Sequence, residues 1–412
     1  MKICVFTLGC KVNASESESL ARALREAGHT VTEKLENADL FIVNTCAVTA
    51  EAEKKSRQTA ARIRALNPAA EIVYTGCACQ KDPAAFLKKS NARLVTGVFD
   101  KGKIAAMLED SGVKIAPERK DFEEMPAPET RRARQYIKVQ DGCDNFCSYC
   151  IIPYLRGRSR SRAKESVKKE IDGAACAEVV LNGINLSAYR DKNTDLAGLM
   201  RYLADTEKRV RLGSLEVRAI TDDLLSALKN MRNFAPHFHL SLQSGSDKVL
   251  AAMNRRYTAE EYLEKVSLIR KYFPFAGITT DIIVGFPAET EADFAETLAL
   301  AAAAEFSDIH CFPYSPRSGT RAFALRDLPP AVKKERLERL LAVKENCRAA
   351  FARKNFGRAE KAVIEEEDGE YFVGYTGNYL RVYVKKALPC GEIGVIIKET
   401  FRDGVRAEIE GE

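Results

Sequence analysis

Apolar runs alternate with amphipathic segments through the first hundred residues, and this alternation constrains the fold more than any other feature. The runs KICVFTLGC, ADLFIVNTC and EIVYTGC are each followed by a segment with helical periodicity. A strand followed by a helix, repeated in this way, is typical of a parallel sheet with helical crossovers. The sequence therefore predicts an α/β fold, with an N-terminal parallel α/β domain over residues 1–115.

The same alternation returns after a charged, proline-containing stretch at residues 116–134, which we interpret as a linker. Six strand-like runs separated by helical segments predict a (β/α)6 partial TIM barrel over residues 135–325, with its chemistry at the strand exits. A long amphipathic helix is predicted within residues 326–357. Short β-rich runs divided by glycines then predict a small all-β barrel or sandwich over residues 358–412.

Composition favours thiol chemistry over histidine chemistry. The chain has 412 residues, 12 cysteines and 4 histidines, with a formal net charge of +6. No apolar run is long enough to span a bilayer, and the opening MKICVFTLGC is too short for a secretory signal. We therefore expect a cytoplasmic protein without a membrane partner. In that compartment, closely spaced thiols indicate metal or redox chemistry rather than disulfides.

One motif, QDGCDNFCSYCIIPYLRGRSRSR, combines three cysteines with a run of arginines. Cys143, Cys147 and Cys150 are spaced C-x3-C-x2-C directly after a predicted strand. Thiolates hold iron–sulfur clusters, usually four to a cubane, so three thiols leave one iron open to a substrate or cofactor. The alternative is a zinc knuckle whose fourth ligand lies elsewhere, such as Cys176.

Three more cysteines, Cys10, Cys46 and Cys77, follow the first three predicted strands. Ligands bind where the carboxyl ends of parallel strands meet, so these thiols are expected at one edge. A single free cysteine is more often a small buried hydrophobe, but three at successive strand exits favour a shared site. The sequence TGCACQ adds Cys79 as an alternative to Cys77.

The run RGRSRSR alternates with period two. In an extended segment this places Arg158, Arg160 and Arg162 on one side, about 6–7 Å apart, which approximates phosphate spacing. We predict that these residues and Arg156 bind RNA, the alternative being a solvated loop. Weaker candidates for the same basic patch are Arg131, Arg132, Arg134, Arg255 and Arg256.

The motif GCDNFCSYCIIPYLRGRSRSR resembles the signature of the radical SAM methylthiotransferases, and the resemblance covers essentially the whole chain. TLGCKVN at Thr7–Asn13 is most similar to the branch that acts on N6-threonylcarbamoyladenosine in tRNA. The resemblance implies a radical SAM partial barrel, a TRAM-like C-terminal domain and two 4Fe-4S clusters. The catalytic cluster, which binds S-adenosylmethionine (SAM), would be held by Cys143, Cys147 and Cys150, and the second cluster by Cys10, Cys46 and Cys77.

The resemblance also implies residues that contact SAM. They lie in the cluster loop and in the motifs LNGIN, GSLE, SLQSGS and TTDIIVGFP, and each has ordinary barrel packing or turn chemistry as its alternative. They are Tyr149, Gly183, Asn185, Ser214, Glu216, Gln243, Asp281 and Gly285.

The implied reaction is insertion of a methylthio group at C2 of N6-threonylcarbamoyladenosine next to the anticodon. One SAM would methylate the sulfur and a second would supply the radical that removes hydrogen from the base. The implied partners are the tRNA anticodon loop and an electron donor such as flavodoxin or ferredoxin. Alternative substrates are N6-isopentenyladenosine in tRNA and a ribosomal protein side chain. A zinc-dependent RNA-binding module without turnover is the alternative from another functional class.

Overall fold

A six-stranded parallel sheet forms the core of the N-terminal domain. The computed structural model describes residues 1–89, 92–129, 132–385 and 391–411. The elements of this domain are β1 (Lys2–Thr7), α1 (Lys11–Glu26), β2 (Thr30–Thr32), β3 (Leu40–Thr45), α2 (Ala50–Leu66), β4 (Glu71–Gly76), α3 (Cys77–Lys81), α4 (Pro83–Lys89), β5 (Leu94–Thr96) and β6 (Gly112–Lys114). The strands pair in the order β2-β1-β3-β4-β5-β6. The order therefore reverses between β1 and β3.

Apolar residues bury this sheet on both faces. Val5 and Ile42 pack with Leu20 of α1 in one cluster, while Phe41 and Ile63 belong to a second cluster that includes residues of α2. Every neighbouring pair of strands is parallel. The predicted parallel α/β fold is confirmed. A parallel sheet binds its ligands at the carboxyl edge where the strand order reverses, which here lies between β1 and β3.

The central domain is a partial barrel of six parallel strands. Its elements are β7 (Arg134–Lys138), β8 (Gln140–Asp141), α5 (Ile152–Arg156), β9 (Arg160–Ser161), α6 (Lys164–Asp172), β10 (Glu178–Asn182), β11 (Arg190–Asp191), β12 (Thr194–Asp195), α7 (Leu196–Tyr202), β13 (Arg209–Leu212), β14 (Ser214–Leu215), α8 (Asp222–Lys229), β15 (His237–Leu240), α9 (Asp247–Ala252), α10 (Ala259–Tyr272), β16 (Gly277–Val284), α11 (Glu291–Ala303) and β17 (Asp308–Pro313).

The third barrel strand is divided at Gly213. Its first part, β13, pairs with β10, and its second part, β14, pairs with β15. The barrel order is therefore β7-β10-β13, then β14-β15-β16-β17, and β7 and β17 are its edges. This arrangement confirms the predicted (β/α)6 partial barrel. Helix α1 of the N-terminal domain packs against the edge strand β7.

Strand alternation gives the barrel an apolar outer layer and a polar interior. Phe238 and Ile278 pack under the helices with the main hydrophobic cluster. On the opposite face of the strands, the carboxylate of Glu178 accepts hydrogen bonds from the buried guanidinium of Arg211 at 2.7 and 2.9 Å. This part of the interior is therefore filled by a buried ion pair rather than by apolar side chains.

Helix α12 (Pro330–Lys354) leads from the barrel to the C-terminal domain. That domain is a closed barrel of β18 (Ala359–Asp368), β19 (Tyr371–Thr376), β20 (Arg381–Val384), β21 (Gly391–Phe401) and β22 (Gly404–Ile409) in the order β18-β19-β20-β22-β21. The predicted small β-barrel is confirmed.

The C-terminal domain docks at the beginnings of the central strands. Arg211 donates to the carbonyls of Thr376 and Gly377 at 3.0 and 2.8 Å, and the His237 ring stacks on Tyr379 with centroids 4.4 Å apart. The amino ends of the strands are thus covered, and the carboxyl ends face away from this domain. Within the described ranges, no helix combines the length and apolar character needed to cross a bilayer.

Candidate functional site

Three N-terminal thiols meet at the point where the strand order reverses. Cys10 follows β1 and caps α1, Cys46 follows β3, and Cys77 begins α3 directly after β4. Burial raises the pKa of the Cys46 thiol to about 12, and the sulfurs of Cys77 and Cys10 contribute to that rise. The three sulfurs are therefore close enough to repel one another as thiolates, and a metal that binds them must displace protons.

Gly9 and Asn13 bring these loops together. Gly9 has a φ of +107°, and a Cβ added there would lie 2.7 Å from Cys46 Cβ and 2.9 Å from its Sγ. Only glycine permits this approach. Asn13 Nδ2 donates to the carbonyls of Leu8 and Thr45 at 2.8 and 3.0 Å, which ties the exits of β1 and β3 to each other. Gly9 and Asn13 of the motif GCKVN therefore hold the two strand exits together, a role that the sequence analysis did not predict.

Cys79 is turned away from this edge. It is completely buried, and its Sγ lies 3.4 Å from the hydroxyl of Thr45. Burial raises its pKa well above the ordinary value for a thiol. Cys77, in contrast, has its Sγ 3.3 Å from Nε of Arg156. The structure thus brings Cys77, and not Cys79, to Cys10 and Cys46.

The second thiol group lies on the loop between β8 and β9, which pair with each other and close the base of the loop. Burial raises the pKa of Cys143 to about 11 and that of Cys150 to about 12, with a contribution from the nearby Cys147 sulfur in both cases. Phe146 is held at a φ of +47° because Asn254 donates to its carbonyl at 3.0 Å. A strained residue between two cysteines is typical of a loop built around a ligand.

A cavity of about 380 Å³ opens beside this loop. It is lined by Asn145, Asn185, Ser187, Glu216, Arg218, Asn254, Arg255, Arg256 and Tyr257, with two neighbouring alanines. Of the predicted SAM contacts, Asn185 and Glu216 lie here, and Asn185 Nδ2 is 3.9 Å from Cys143 Sγ. Glu216 accepts two hydrogen bonds from Arg255, at 3.0 and 2.6 Å, and Arg255 also contacts Cys147 Sγ at 3.4 Å.

Two of the predicted glycines have packing roles. A Cβ on Gly183 would lie 2.7 Å from Oε1 of Gln140, so this glycine lets β10 approach the start of the cluster loop. Gly285 has a φ of +71° and faces Lys333 of α12, where a Cβ would lie 2.6 Å from Cγ. Ser214 is exposed.

Tyr149 is partly buried against an apolar cluster that includes Phe286 and Tyr314. It therefore lies between the cluster loop and the exits of the last two barrel strands. Sequence reasoning placed it beside the cofactor through its position in the loop. The structure adds the packing that fixes it there.

Asp281 belongs to a polar group inside the barrel. Burial alone would raise its pKa, but His239 and His310, with ring nitrogens 3.2 and 3.0 Å from its two oxygens, hold it well below the ordinary range. The donor atoms of these three residues lie within 4.8 Å of one another, so the group could hold a metal ion. Both carboxylate oxygens already accept from an imidazole, however. Gln243, at a φ of +72°, donates its backbone N–H to the Asp281 carbonyl at 2.8 Å.

The arginine run does not form the single exposed face that the sequence analysis expected. Arg156 is fully buried and donates to Glu16 and Asp141 at 2.8 and 3.0 Å. Arg160 is buried beside Asp141 at 3.2 Å. Arg162 pairs with Glu170. The expectation that Arg158, Arg160 and Arg162 lie on one exposed side is therefore wrong, because the sequence does not reveal the buried carboxylates that turn Arg160 and Arg162 inward.

Arg158 is the member of the run that stays in solvent, with 71% of its side chain exposed. Its guanidinium lies 5.0 Å from the centroid of the Phe146 ring, and that ring contacts Tyr154 edge-on at 5.5 Å. Among the weaker candidates, Arg132 and Arg256 are exposed, Arg134 pairs with Glu365, Arg255 pairs with Glu216, and Arg131 lies outside the described residues.

Comparison with known proteins adds family relationships to this geometry. The Uncharacterized protein family UPF0004 matches residues 2–97, and the Radical SAM superfamily matches residues 137–301. The chain is 37% identical over 403 residues to the threonylcarbamoyladenosine tRNA methylthiotransferase MtaB of Bacillus subtilis (strain 168), covering 92% of this chain and 89% of that protein. It is 35% identical to the tRNA-2-methylthio-N(6)-dimethylallyladenosine synthase of Moorella thermoacetica, covering 88% and 86%.

The threonylcarbamoyladenosine tRNA methylthiotransferase MtaB of Thermotoga maritima is also 37% identical, over 418 residues, covering 97% of this chain and 95% of that protein. Among solved structures, the radical S-adenosylmethionine methyltransferase TsrM from Kitasatospora setae, with cobalamin and a [4Fe-4S] cluster bound, superposes with a TM-score of 0.59. That match covers 78% of this chain and 77% of the other at 14% identity, so it supports the fold alone.

Proposed function

Because the chain belongs to the radical SAM tRNA methylthiotransferases, we propose that it inserts a methylthio group at C2 of N6-threonylcarbamoyladenosine next to the anticodon. Enzymes of this kind use SAM and [4Fe-4S] clusters. The observation that carries the two-cluster part of the proposal is the presence of two separate groups of three thiols, both at strand exits. The relatives named for threonylcarbamoyladenosine at 37% identity favour that substrate over dimethylallyladenosine.

The residues present fit a cluster at each group. Three thiols converge in each, with Cys10 exposed and the other five buried or half-buried. A buried guanidinium lies 3.3 Å from Cys77 Sγ in one group and 3.4 Å from Cys147 Sγ in the other. A buried cation is stabilised by a thiolate but not by a neutral thiol. In the proposal Cys143, Cys147 and Cys150 hold the cluster that supplies the electron for SAM cleavage. Cys10, Cys46 and Cys77 hold the cluster that supplies the sulfur.

SAM is proposed to bind in the cavity beside the first of these clusters. Asn185 presents an amide to it, and Glu216, fixed by Arg255, presents a carboxylate at its wall. A carboxylate and an amide are suited to an amine and a hydroxyl, and SAM carries both of these groups. Tyr149, Gln243 and Asp281 are proposed to complete the cofactor site from the barrel. Gly183 and Gly285 have no side chain, so any contact they make with SAM is made by their backbone.

The tRNA is proposed to approach over the cluster loop. Phe146, Tyr154 and Arg158 form a partly exposed row of two rings and a guanidinium on that loop. Bases of a single-stranded loop stack on aromatic rings and on arginine planes, and a barrel mouth requires the target base to be turned out of its stack. Arg218 and Arg256 add exposed positive charge at the rim of the adjacent cavity. A one-electron donor such as flavodoxin or ferredoxin belongs to the same proposal.

The test is nucleoside mass spectrometry of tRNA that carries both N6-threonylcarbamoyladenosine and N6-isopentenyladenosine. The reconstituted protein is incubated anaerobically with this tRNA, SAM and a chemical reductant. We expect one methylthio group on the threonylcarbamoyl nucleoside alone. A gain on the isopentenyl nucleoside alone would refute the substrate, and SAM cleavage without any gain on tRNA would refute the reaction.

Variants separate the two thiol groups in the same assay. Cys147→Ala is expected to abolish formation of 5′-deoxyadenosine while keeping the iron of the N-terminal group. The matched control is Cys176→Ala, since Cys176 is also buried but its thiol donates to the carbonyl of Glu178 at 3.1 Å, away from both groups. Retained SAM cleavage in the Cys147 variant would contradict the assignment.

A further inference from the structure

Each thiol group has one buried arginine against one of its sulfurs. Arg156 reaches Cys77 Sγ through Nε at 3.3 Å, and Arg255 reaches Cys147 Sγ through Nη1 at 3.4 Å. The side chains of the two arginines are 0% and 4% exposed. At these positions neither guanidinium can contact solvent or RNA, so each interacts with groups inside the protein.

The surroundings of Arg156 carry an excess of positive charge. Among the described residues, Arg156, Lys101, Lys138 and Arg160 form ion pairs with two carboxylates, those of Glu16 and Asp141. The four cations thus exceed the carboxylates by two charges. Buried charge of one sign is costly unless opposite charge lies nearby. The side of Arg156 that no carboxylate occupies is the side on which its Nε contacts Cys77 Sγ.

Arg255 lies in a more nearly neutral setting. Its guanidinium is paired by the carboxylate of Glu216 and donates to the Ser241 carbonyl at 3.2 Å and to the Tyr257 hydroxyl at 3.1 Å. One cation is therefore matched by one carboxylate. The two thiol groups differ in this respect, although each has a single arginine donor.

We propose that Arg156 is a positioning residue that raises the reduction potential of the cluster held by Cys10, Cys46 and Cys77. Hydrogen bonds to cluster sulfurs and nearby positive charge both stabilise the more negative, reduced state. Arg156 belongs to the barrel domain, six residues after Cys150, so it also fixes the N-terminal thiols against the barrel. This inference rests on the proposed function for the existence of the cluster.

The test isolates the second cluster in the full chain by changing Cys143, Cys147 and Cys150 to alanine. Potentiometric titration followed by electron paramagnetic resonance then compares this background with Arg156→Met or Glu16→Gln added. Arg156→Met removes a cation. It is expected to lower the equilibrium constant for reduction of the cluster tenfold or more, which shifts the reduction potential by about 59 mV or more to negative values. Glu16→Gln removes an anion from the same network and is expected to shift the potential to positive values.

The opposite signs distinguish an electrostatic role from a merely structural one, because general loosening of the site would move both variants in the same direction. Arg156→Lys keeps the charge but loses the Nε donor, so its potential is expected between those of wild type and Arg156→Met. With Cys10, Cys46 and Cys77 changed instead, the remaining cluster is the control: Arg156→Met should leave its potential unchanged, and Arg255→Met should lower it.

Unchanged potentials in Arg156→Met and Glu16→Gln, or shifts of the same sign in both, would overturn the inference. If Arg156→Met binds no iron, the nearly isosteric Glu16→Gln decides: a positive shift supports the inference, and no shift or a negative shift overturns it. A wild-type chain with iron for only one cluster would instead overturn the proposed function. The two failures are therefore distinguishable.

Discussion

Gly9→Ala is expected to prevent iron binding at the N-terminal thiol group of Cys10, Cys46 and Cys77 while leaving iron binding at the other thiol group intact. The added methyl would lie 2.7 Å from Cys46 Cβ and 2.9 Å from Cys46 Sγ, and the backbone φ of +107° disfavours any side chain. The contact atoms belong to a short cysteine side chain on the adjacent strand exit, so they cannot rotate away without moving the sulfur. The change therefore acts on the position of a proposed ligand.

The cost has two parts that a second glycine separates. Forcing alanine into a positive-φ position costs about 1 kcal/mol or more, and overpacking a tight site adds about 1–3 kcal/mol. Gly28 has a φ of +86°, but a methyl added there would have no heavy atom within 4 Å, so Gly28→Ala carries only the first cost. We expect about 2–4 kcal/mol for Gly9→Ala and about 1 kcal/mol for Gly28→Ala.

The assay is iron and sulfide content after anaerobic reconstitution, together with a thermal melt of the metal-free protein. Gly9→Ala should keep about half of the iron and retain SAM cleavage, while Gly28→Ala should keep all of it. Melting temperatures should fall for both variants and further for Gly9→Ala. Full iron content in Gly9→Ala, or equal iron loss in both variants, would refute the steric argument.

Three further changes test other parts of the structure. Cys77→Ala should lose the iron of the N-terminal group, whereas Cys79→Ala should keep it, as measured by iron content; the reverse result would mean that the deeper thiol is the ligand. Phe146→Ala should weaken tRNA binding by about 1–3 kcal/mol if a base stacks on this ring. The control in the same binding titration is Tyr202→Ala, which removes an exposed ring on α7. Burial alone would raise the pKa of Glu178, but its arginine neighbours lower it to about 2. The contribution of Glu178 to the free energy of unfolding is therefore complete at pH values above the ordinary pKa of glutamate and is lost as the pH falls towards 2. The difference in unfolding free energy between wild type and Glu178→Gln should shrink as the pH is lowered through this range. A difference that is independent of pH would contradict this account.

The fold was accessible from the sequence because its signals are local. Alternation of apolar strands with amphipathic helices suffices for a parallel sheet and for a βα barrel, and all six predicted barrel strands are present. The division of the third strand at Gly213 was not predicted, because nothing local distinguishes this glycine from one in a turn. Strand β7 begins at Arg134, one residue before the predicted start of the barrel domain at residue 135.

The candidate site was accessible only where one property of a residue decides its role. The convergence of Cys10, Cys46 and Cys77 followed from topology, because the exits of neighbouring parallel strands meet at one edge of the sheet. Arginine has no such single role, because it pairs equally well with RNA phosphate and with a buried carboxylate. The partners that decide the fate of Arg156 are distant in sequence: Glu16 lies 140 residues away, in the other domain. A pattern of charges along the chain contains no information about such partners.

The junction built on Arg156 also constrains how the substrate reaches the site. Glu16 and Cys77 belong to the N-terminal domain, while Lys138, Asp141 and Arg156 belong to the barrel, and all five are buried in one network. The ion pairs of Glu16 with Lys138 and Arg156 cross the interface between the two domains, so opening the domains at this interface would break them together. The two thiol groups are therefore held at a fixed separation in every state that keeps the network. In the proposed reaction, turning the nucleotide out of its loop supplies the movement that brings the target base to these thiol groups.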